Sequence, residues 1–361
     1  MKGYAKMKKF LALALALCMI FALCACGQKA APAEAPAEEA APAAEEAAAP
    51  AAEKAADAIV LKIGISTNEE DPRAKGALQF IGEITEKTNG AVTGKLYPAG
   101  QLGGDADLIN SLVLDAGTVD IIITDNSNFA TLVPNMGISA LPFLFNSFEE
   151  AWEFCDGPIE AAAEAGLIPN NIRVLAHYDN GFRCVTNSKA PVETPDNMKG
   201  MLIRTPENPV IMATMTALGA NPQPLAFNEL YQALQQGTYD AQENPIPVIY
   251  NNKLYEVQKY LSVTNHIYSG MCFAIAESVW QKLTPEQQEI VQAAATSSAV
   301  TDREMNKQQT NDYVANLESE GMKINYPDLS AFAEASKSVI ESNKDIDAEL
   351  LAQLNEWLAS K

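Results

Sequence analysis

Apolar and polar residues alternate along this chain in short runs that carry two different periods. Ile59–Ile65 is a compact apolar run that predicts a strand, and Val119–Thr124, Asn171–His177, Met201–Arg204 and Met271–Ala276 predict four more. Between them, helical stretches are predicted near Asp105–Asp115, Asn208–Leu218, Asn228–Gln236 and Pro285–Leu317. Asp71-Pro72 supplies an N-cap and a proline at the first helical position, opening a helix that Gly90 closes. Thr284-Pro285-Glu286-Gln287 is a capping box: a Thr cap, a proline next, and a Gln three residues on. No Pro or Gly follows before Gly321, so one helix of over 30 residues is predicted. The usual helix is ~10–14 residues long, so this one is expected to bridge two lobes as part of a hinge. Strands alternating with helices imply an α/β fold whose sheets are covered on both faces. The stretch from Ala58 to Lys361 exceeds what one core usually serves, so two lobes are expected.

The first residues follow another pattern. Lys2, Lys6, Lys8 and Lys9 form a basic segment, and an apolar run follows from Phe10 to Ala25. The order is that of a secretory signal peptide, and the run falls short of the ~20 apolar residues that span a bilayer. Residues 1–25 are therefore expected to be removed. Leu23-Cys24-Ala25-Cys26-Gly27 resembles a bacterial lipobox. Cys26, preceded by a small residue, fits the lipidated position, whereas bulky Leu23 before Cys24 does not. Residues 28–57 are almost only Ala, Pro and Glu, with nothing large to bury against the entropy of ordering. They form a spacer that would span roughly 30 Å as a coil or about 90 Å as polyproline II. The chain is thus expected outside the cytoplasm, lipid-anchored to the cell membrane.

Charge narrows the partners. The net charge of −21 becomes −25 once the four leader lysines are gone, leaving 21 basic and 46 acidic residues. Such a balance argues against nucleic acid or an anionic lipid surface, but not against a small anionic ligand in a local pocket. Beyond the leader, Cys155, Cys184 and Cys272 are an odd, scattered set rather than a disulfide framework; buried free thiols are expected, with one bridge as the alternative. His177 and His266 are the only histidines and neither has metal-ligand spacing. No nucleophile elbow, P-loop or dinucleotide fingerprint is present, so no enzyme activity, metal or cofactor is expected.

The informative stretch runs from Asn180 to Asn244. It contains Asn180-Gly181-Phe182-Arg183, Lys199-Gly200-Met201-Leu202-Ile203-Arg204, Pro224-Leu225-Ala226-Phe227-Asn228-Glu229 and Gln242-Glu243-Asn244-Pro245. Arg204 ends an apolar strand, where α/β folds gather ligands. Its guanidinium fork matches a carboxylate, which is either that of a ligand or an internal partner such as Glu229 or Glu243.

These segments, in this order, resemble the solute-binding proteins of tripartite ATP-independent periplasmic (TRAP) transporters. The likeness extends over nearly all of residues 58–361, including Leu96-Tyr97-Pro98, Gln101-Leu102-Gly103 and Asn252–His266. It implies two α/β lobes around a cleft, joined by crossing strands and one long helix. Lobe I is expected over 58–180 plus 269–309, and lobe II over 181–268 plus 310–361. The implied partners are a small organic acid and the integral-membrane subunits of the transporter, with the receptor itself a monomer. The resemblance makes Arg204 the main carboxylate clamp, Arg183 a second basic residue of the same site and Asn244 the amide completing the clamp. It makes Phe227 an aromatic wall, Asp125 a pocket carboxylate and His266 a residue near the cleft or a structural one.

Two positions depart from the sialic-acid-binding members: Asn128 stands where they carry an arginine, and Glu207 replaces a neutral amide. Both changes remove positive character. Carboxylates such as Asp125 and Glu207 only accept hydrogen bonds, which suits ligand hydroxyls and repels a second ligand carboxylate. The expected ligand is a hydroxylated monocarboxylate, such as a sugar acid. The alternatives are a C4-dicarboxylate receptor of the same family, the substrate-binding lipoprotein of an ABC importer, and a sensor feeding a signalling receptor.

Overall fold

The computed structural model describes residues 58–361 except residue 342. The expected signal peptide, Cys26 and the spacer to residue 57 lie outside the described residues. The described chain opens with β1 (Ile59–Gly64), α1 (Pro72–Lys87), β2 (Val92–Tyr97), α2 (Asp105–Val113) and β3 (Ile121–Asp125). Short helices α3 (Phe148–Cys155) and α4 (Pro158–Glu164) lead into a long strand, β4 (Ile172–Asn187). Next come β5 (Leu202–Thr205), α5 (Pro209–Ala217), β6 (Asn221–Pro224), α6 (Phe227–Gln235), β7 (Ala241–Pro245) and α7 (Ile246–Asn251). A second long strand, β8 (Tyr260–Ala276), precedes α8 (Glu277–Trp280), α9 (Pro285–Ser319), β9 (Lys323–Asn325), α10 (Ser330–Glu341) and α11 (Ala348–Ala359).

The described strands form one sheet in the order β2-β1-β3-β8-β4-β7-β5-β6, with β9 on the free part of β8. β4 and β8 run antiparallel from Ile172↔Ala276 to Asn187↔Tyr260 and carry a half-sheet at each end. β3 pairs with Met271–Ile275 of β8, whereas β7 pairs with Arg183–Asn187 of β4. Between these zones the register shifts at Asp179/Gly181 and again at Arg183/Val185. Gly181 sits at the first shift with φ +105°, a conformation that side chains disfavour. The sequence pattern stops β4 at His177 and starts β8 only at Met271. It misses the crossing because buried polar residues, among them Asp179, Asn180, Thr264 and His266, break the apolar run.

Helix α9 starts as its capping box predicts, with Gln287 N–H donating to Thr284 Oγ1 and Thr284 N–H donating to Gln287 Oε1. It lies along both half-sheets and so bridges the lobes. Near its first half, Tyr178 of β4 donates its hydroxyl to Ser298 at 2.7 Å. Gly76 lets α1 approach there, since a Cβ would meet the Tyr178 ring at 2.8 Å. Farther along, Asn251 of α7 donates to Gln309 at 3.0 Å and the Tyr250 and Tyr313 rings meet at a tilt with centroids 4.3 Å apart. The C-terminal stretch divides its packing. Helix α10 lies against α5, while α11 sets Trp357 5.2 Å from Phe154 of α3 and 5.9 Å from Phe145. Cys155, Cys184 and Cys272 are buried and free. Among the described residues no helix is long and apolar enough to cross a membrane.

Candidate functional site

The ends of β3, β5 and β7 converge with the crossing part of β4, and each brings polar side chains. Asp125 is the last residue of β3, Arg204 the third of four in β5, and Glu243 and Asn244 lie in β7 beside Arg183 of β4. All five are buried. Buried charges require partners, so the first question is how these groups are paired.

Arg183 is fully occupied from within. Its Nε pairs with Glu243 Oε2, its Nη2 donates to Oε1 at 2.8 Å and to the Glu243 carbonyl at 2.9 Å, and Asn244 Oδ1 lies 3.3 Å away. Burial works against both charges, but each partner overrides it. The Arg183 pKa is held above its ordinary value and that of Glu243 below. His266 stands behind this pair: Nδ1 is 2.8 Å from Thr264 Oγ1 and Nε2 is 3.4 Å from Glu243 Oε2. Burial depresses its pKa, so the imidazole is neutral.

A second buried arginine, Arg73, is paired in the same way. Its Nε is 2.9 Å from Asp71 and its Nη2 donates to Asn180 Oδ1 at 2.7 Å. Asn180 donates onward to Ser269 at 3.0 Å, and Ser269 donates to Asp125. This network ties α1, β3, β4 and β8 at the crossing.

Arg204 differs. Its Nε and Nη2 both donate to the Leu225 carbonyl, at 2.8 and 2.5 Å, and its guanidinium lies 5.9 Å from the Phe227 ring centre. Among the described residues no carboxylate forms an ion pair with it. Burial, with a further contribution from Arg183, pushes its pKa down to about 10, which still leaves it charged at neutral pH. A buried cation with only a carbonyl for company is under-neutralised.

That cation borders a cavity of about 510 Å³, inside the ~300–1,000 Å³ range of small-molecule sites. Gly104, Asp105, Asp107 and Asn128 line one side, and Arg204, Glu207 and Phe227 the other. A smaller recess of about 40 Å³ shares Asp105, Asn128, Arg204 and Phe227 and reaches Asp125, Arg183 and Asn244.

The structure therefore brings together Arg204, Glu207, Phe227, Asp125, Asn244 and Arg183. It sets His266 apart, in the layer beneath Glu243. Two partnerships left open by the sequence are also decided: Glu243 pairs with Arg183 rather than Arg204, and Glu229 is exposed. Glu207 is exposed in the cavity wall and makes no ion pair with Arg183. Asn244 donates its amide to Gln242 Oε1 at 2.5 Å, so in this arrangement it supports the floor. Sequence reasoning missed Asp105 and Arg73. Both stand in the first turn of a helix, where Asp105 passes for a residue complementing the helix dipole and Arg73 follows an N-cap and proline that explain the position without it.

Comparison with known proteins gives a consistent result. Residues 63–345 match the family described as bacterial extracellular solute-binding protein, family 7. The 2,3-diketo-L-gulonate-binding periplasmic protein YiaO of Escherichia coli is 35% identical over 276 residues, 76% of this chain and 84% of that protein. Among solved structures, the sugar acid binding protein DctPAm of Advenella mimigardefordensis, in complex with galactonate, superposes with TM-score 0.81. It is 28% identical, over 84% of this chain and 98% of that one. A TRAP periplasmic solute-binding protein of Sulfurospirillum deleyianum, with bound succinate, gives TM-score 0.78 at 29% identity, over 82% and 98%.

The Arg183–Glu243 pairing yields a direct prediction. Glu243→Gln leaves Arg183 buried without its counter-charge and is expected to cost about 3–5 kcal/mol in denaturant unfolding. A loss under about 1 kcal/mol would show that the pair does not hold the floor.

Proposed function

The chain belongs to the bacterial extracellular solute-binding proteins of family 7, and from that premise we propose that it is the extracytoplasmic receptor of a TRAP transporter for a hydroxylated monocarboxylate. The observation that carries the reading is the under-neutralised guanidinium of Arg204 facing the cavity. A ligand carboxylate supplies the missing charge, through charge-assisted bonds that contribute ~1.5–3 kcal/mol each. The other charged residues of the cavity wall are acidic: Asp105, Asp107 and Glu207 line it, and Asp125 borders the recess. Such oxygens accept bonds from hydroxyls and repel a second carboxylate, which favours a sugar acid over a dicarboxylate. Phe227 offers an apolar face beside the clamp. The reading is one of binding without catalysis, in keeping with a family of binding proteins.

The cavity takes one wall from each half of the molecule, so a bound ligand contacts both only when they close. We place the lobes at 58–180 with 269–309 and 181–268 with 310–361, meeting at the register shifts of β4, with α11 reaching back to the first lobe. Closure then follows from differential affinity: the ligand stabilises the closed form, which the membrane subunits recognise. The basic-apolar leader, Cys26 and the Ala/Pro/Glu spacer support a lipid anchor that holds the receptor at the membrane.

Three experiments test this. In a thermal-shift screen, aldonates such as galactonate and erythronate should raise the melting temperature. Stabilisation by succinate or fumarate alone would overturn the ligand class. Arg204→Ala should weaken aldonate binding by about 2–5 kcal/mol, roughly 30- to 5,000-fold in Kd, and near-native affinity would make Arg204 structural. For the anchor, Cys26→Ser should move the protein from the membrane to the soluble fraction of cells. A wild-type chain already soluble, with an unmodified N-terminus, would refute it.

A further inference from the structure

Away from the cleft, three donor side chains from three elements meet at the edge of the first half-sheet. His177 of β4 and Cys272 of β8 are direct partners across the antiparallel pair. Such partners share a face of the sheet, with Cβ atoms ~4.5–5.5 Å apart. Glu164, the last residue of α4, brings Oε1 to 2.5 Å from His177 Nε2. An imidazole nitrogen, the thiol sulfur and a carboxylate oxygen all lie within 4.8 Å of one another.

Two further features surround this triad. Asp156 Oδ1 lies 3.2 Å from His177 Nδ1 and is itself held by Arg303 at 2.6 and 2.8 Å. A carboxylate on Nδ1 fixes the ring and turns Nε2 toward the triad, the usual support of a metal-ligating histidine; the Nε2 proton, donated to Glu164 here, is released when a metal takes its place. Beneath lies Glu160, wholly buried, with Oε2 lacking any hydrogen-bond partner. Its Oε1 accepts from Asn126 Nδ2 at 2.8 Å, and Cys272 Sγ donates to the Oδ1 of that same amide at 3.1 Å. One asparagine thus holds the orphaned carboxylate beside the thiol. A plain His177–Glu164 hydrogen bond would account for two of these groups and leave Glu160 Oε2 without a partner among the described residues.

We propose that His177, Cys272 and Glu164 form a zinc site, with the fourth position left to water. Thiolate, imidazole and carboxylate together match zinc, whereas calcium and magnesium take oxygen ligands. The thiolate and the Glu164 carboxylate balance a divalent charge, and Asp156 is already balanced by Arg303. Bond lengths of ~2.0–2.3 Å require the donors to stand about 3.2–3.8 Å apart. The His177–Glu164 contact therefore opens by under about 1 Å as the sulfur moves in. The side chains of His177 and Glu164 are 11% and 17% exposed, which gives an ion a path from solvent. Bound zinc would staple α4 to β4 and β8, the two strands that continue through the crossing.

The test uses the full chain, purified under reducing conditions, stripped with a chelator and titrated with Zn²⁺. One zinc per chain is expected. Cys272→Ser and His177→Asn should each weaken binding by at least about tenfold, and Asp312→Asn, on the exposed face of α9, should not. Loading with Co²⁺ should give a thiolate-to-cobalt absorption that disappears in Cys272→Ser and persists in Cys155→Ser. Circular dichroism checks that the variants fold, and Glu164→Gln, at the part-buried edge, serves where the core variants do not. Substoichiometric zinc, an absorption that survives in Cys272→Ser, or equal competition by Mg²⁺ would overturn the proposal.

Discussion

The buried pair of Arg183 and Glu243 is the constraint on which the rest of the site depends. Arg183 and Arg204 share one desolvated floor, where like charges repel far more strongly than in water. Asp125 lies 3.8 Å from Arg183, and the Glu243 carboxylate can neutralise one of the two in full. Register gives it to Arg183, because β7 runs antiparallel to β4 and sets Glu243 opposite Val185, two residues along from Arg183. β5 runs parallel to β7 and aligns Arg204 with Gln242 instead. Arg204 therefore stays positive and turns toward the Leu225 carbonyl and the open cavity. Neutral His266 completes the arrangement from below without adding a further charge to the floor.

That asymmetry organises the ligand chemistry. Among the described residues, one cation without a carboxylate partner, in a wall that also carries Asp105, Asp107 and Glu207, asks for one negative group and several hydrogen-bond donors. The pattern fits a sugar acid in both respects. The acidic residues also hold the cavity in shape: Asp105 accepts from Thr124 at 3.0 Å, and Asp107 caps its own helix through the Gly104 amide at 3.0 Å. Pre-formed acceptors of this kind lower the ordering cost of binding. The strands that carry the floor also join the two halves, so filling the site and moving the lobes are coupled through the same residues.

Much of this was legible in the sequence, for identifiable reasons. The capping box at Thr284 and the absence of breakers before Gly321 specify α9 almost to the residue, because helix ends are local chemistry. Arg204 at the end of an apolar strand pointed to the end of the sheet where the cavity lies. What the sequence left open was which arginine Glu243 neutralises, since that depends on strand order and register between segments 40 to 60 residues apart. The crossing of β4 and β8 was hidden for a related reason. Its polar residues look like breaks in a strand until their partners, Arg73 for Asn180 and Glu243 for His266, are placed by the fold. Glu164, His177 and Cys272 have no telling spacing because three separate elements deliver them.

The most direct test is a crystal structure with a bound aldonate such as galactonate. The account predicts the ligand carboxylate within hydrogen-bond distance of the Arg204 guanidinium, hydroxyls on Asp105 or Asp125, and the Arg183–Glu243 pair intact beneath. A carboxylate seated on Arg183 with Glu243 displaced, or one that leaves Arg204 bonded only to Leu225, would contradict it.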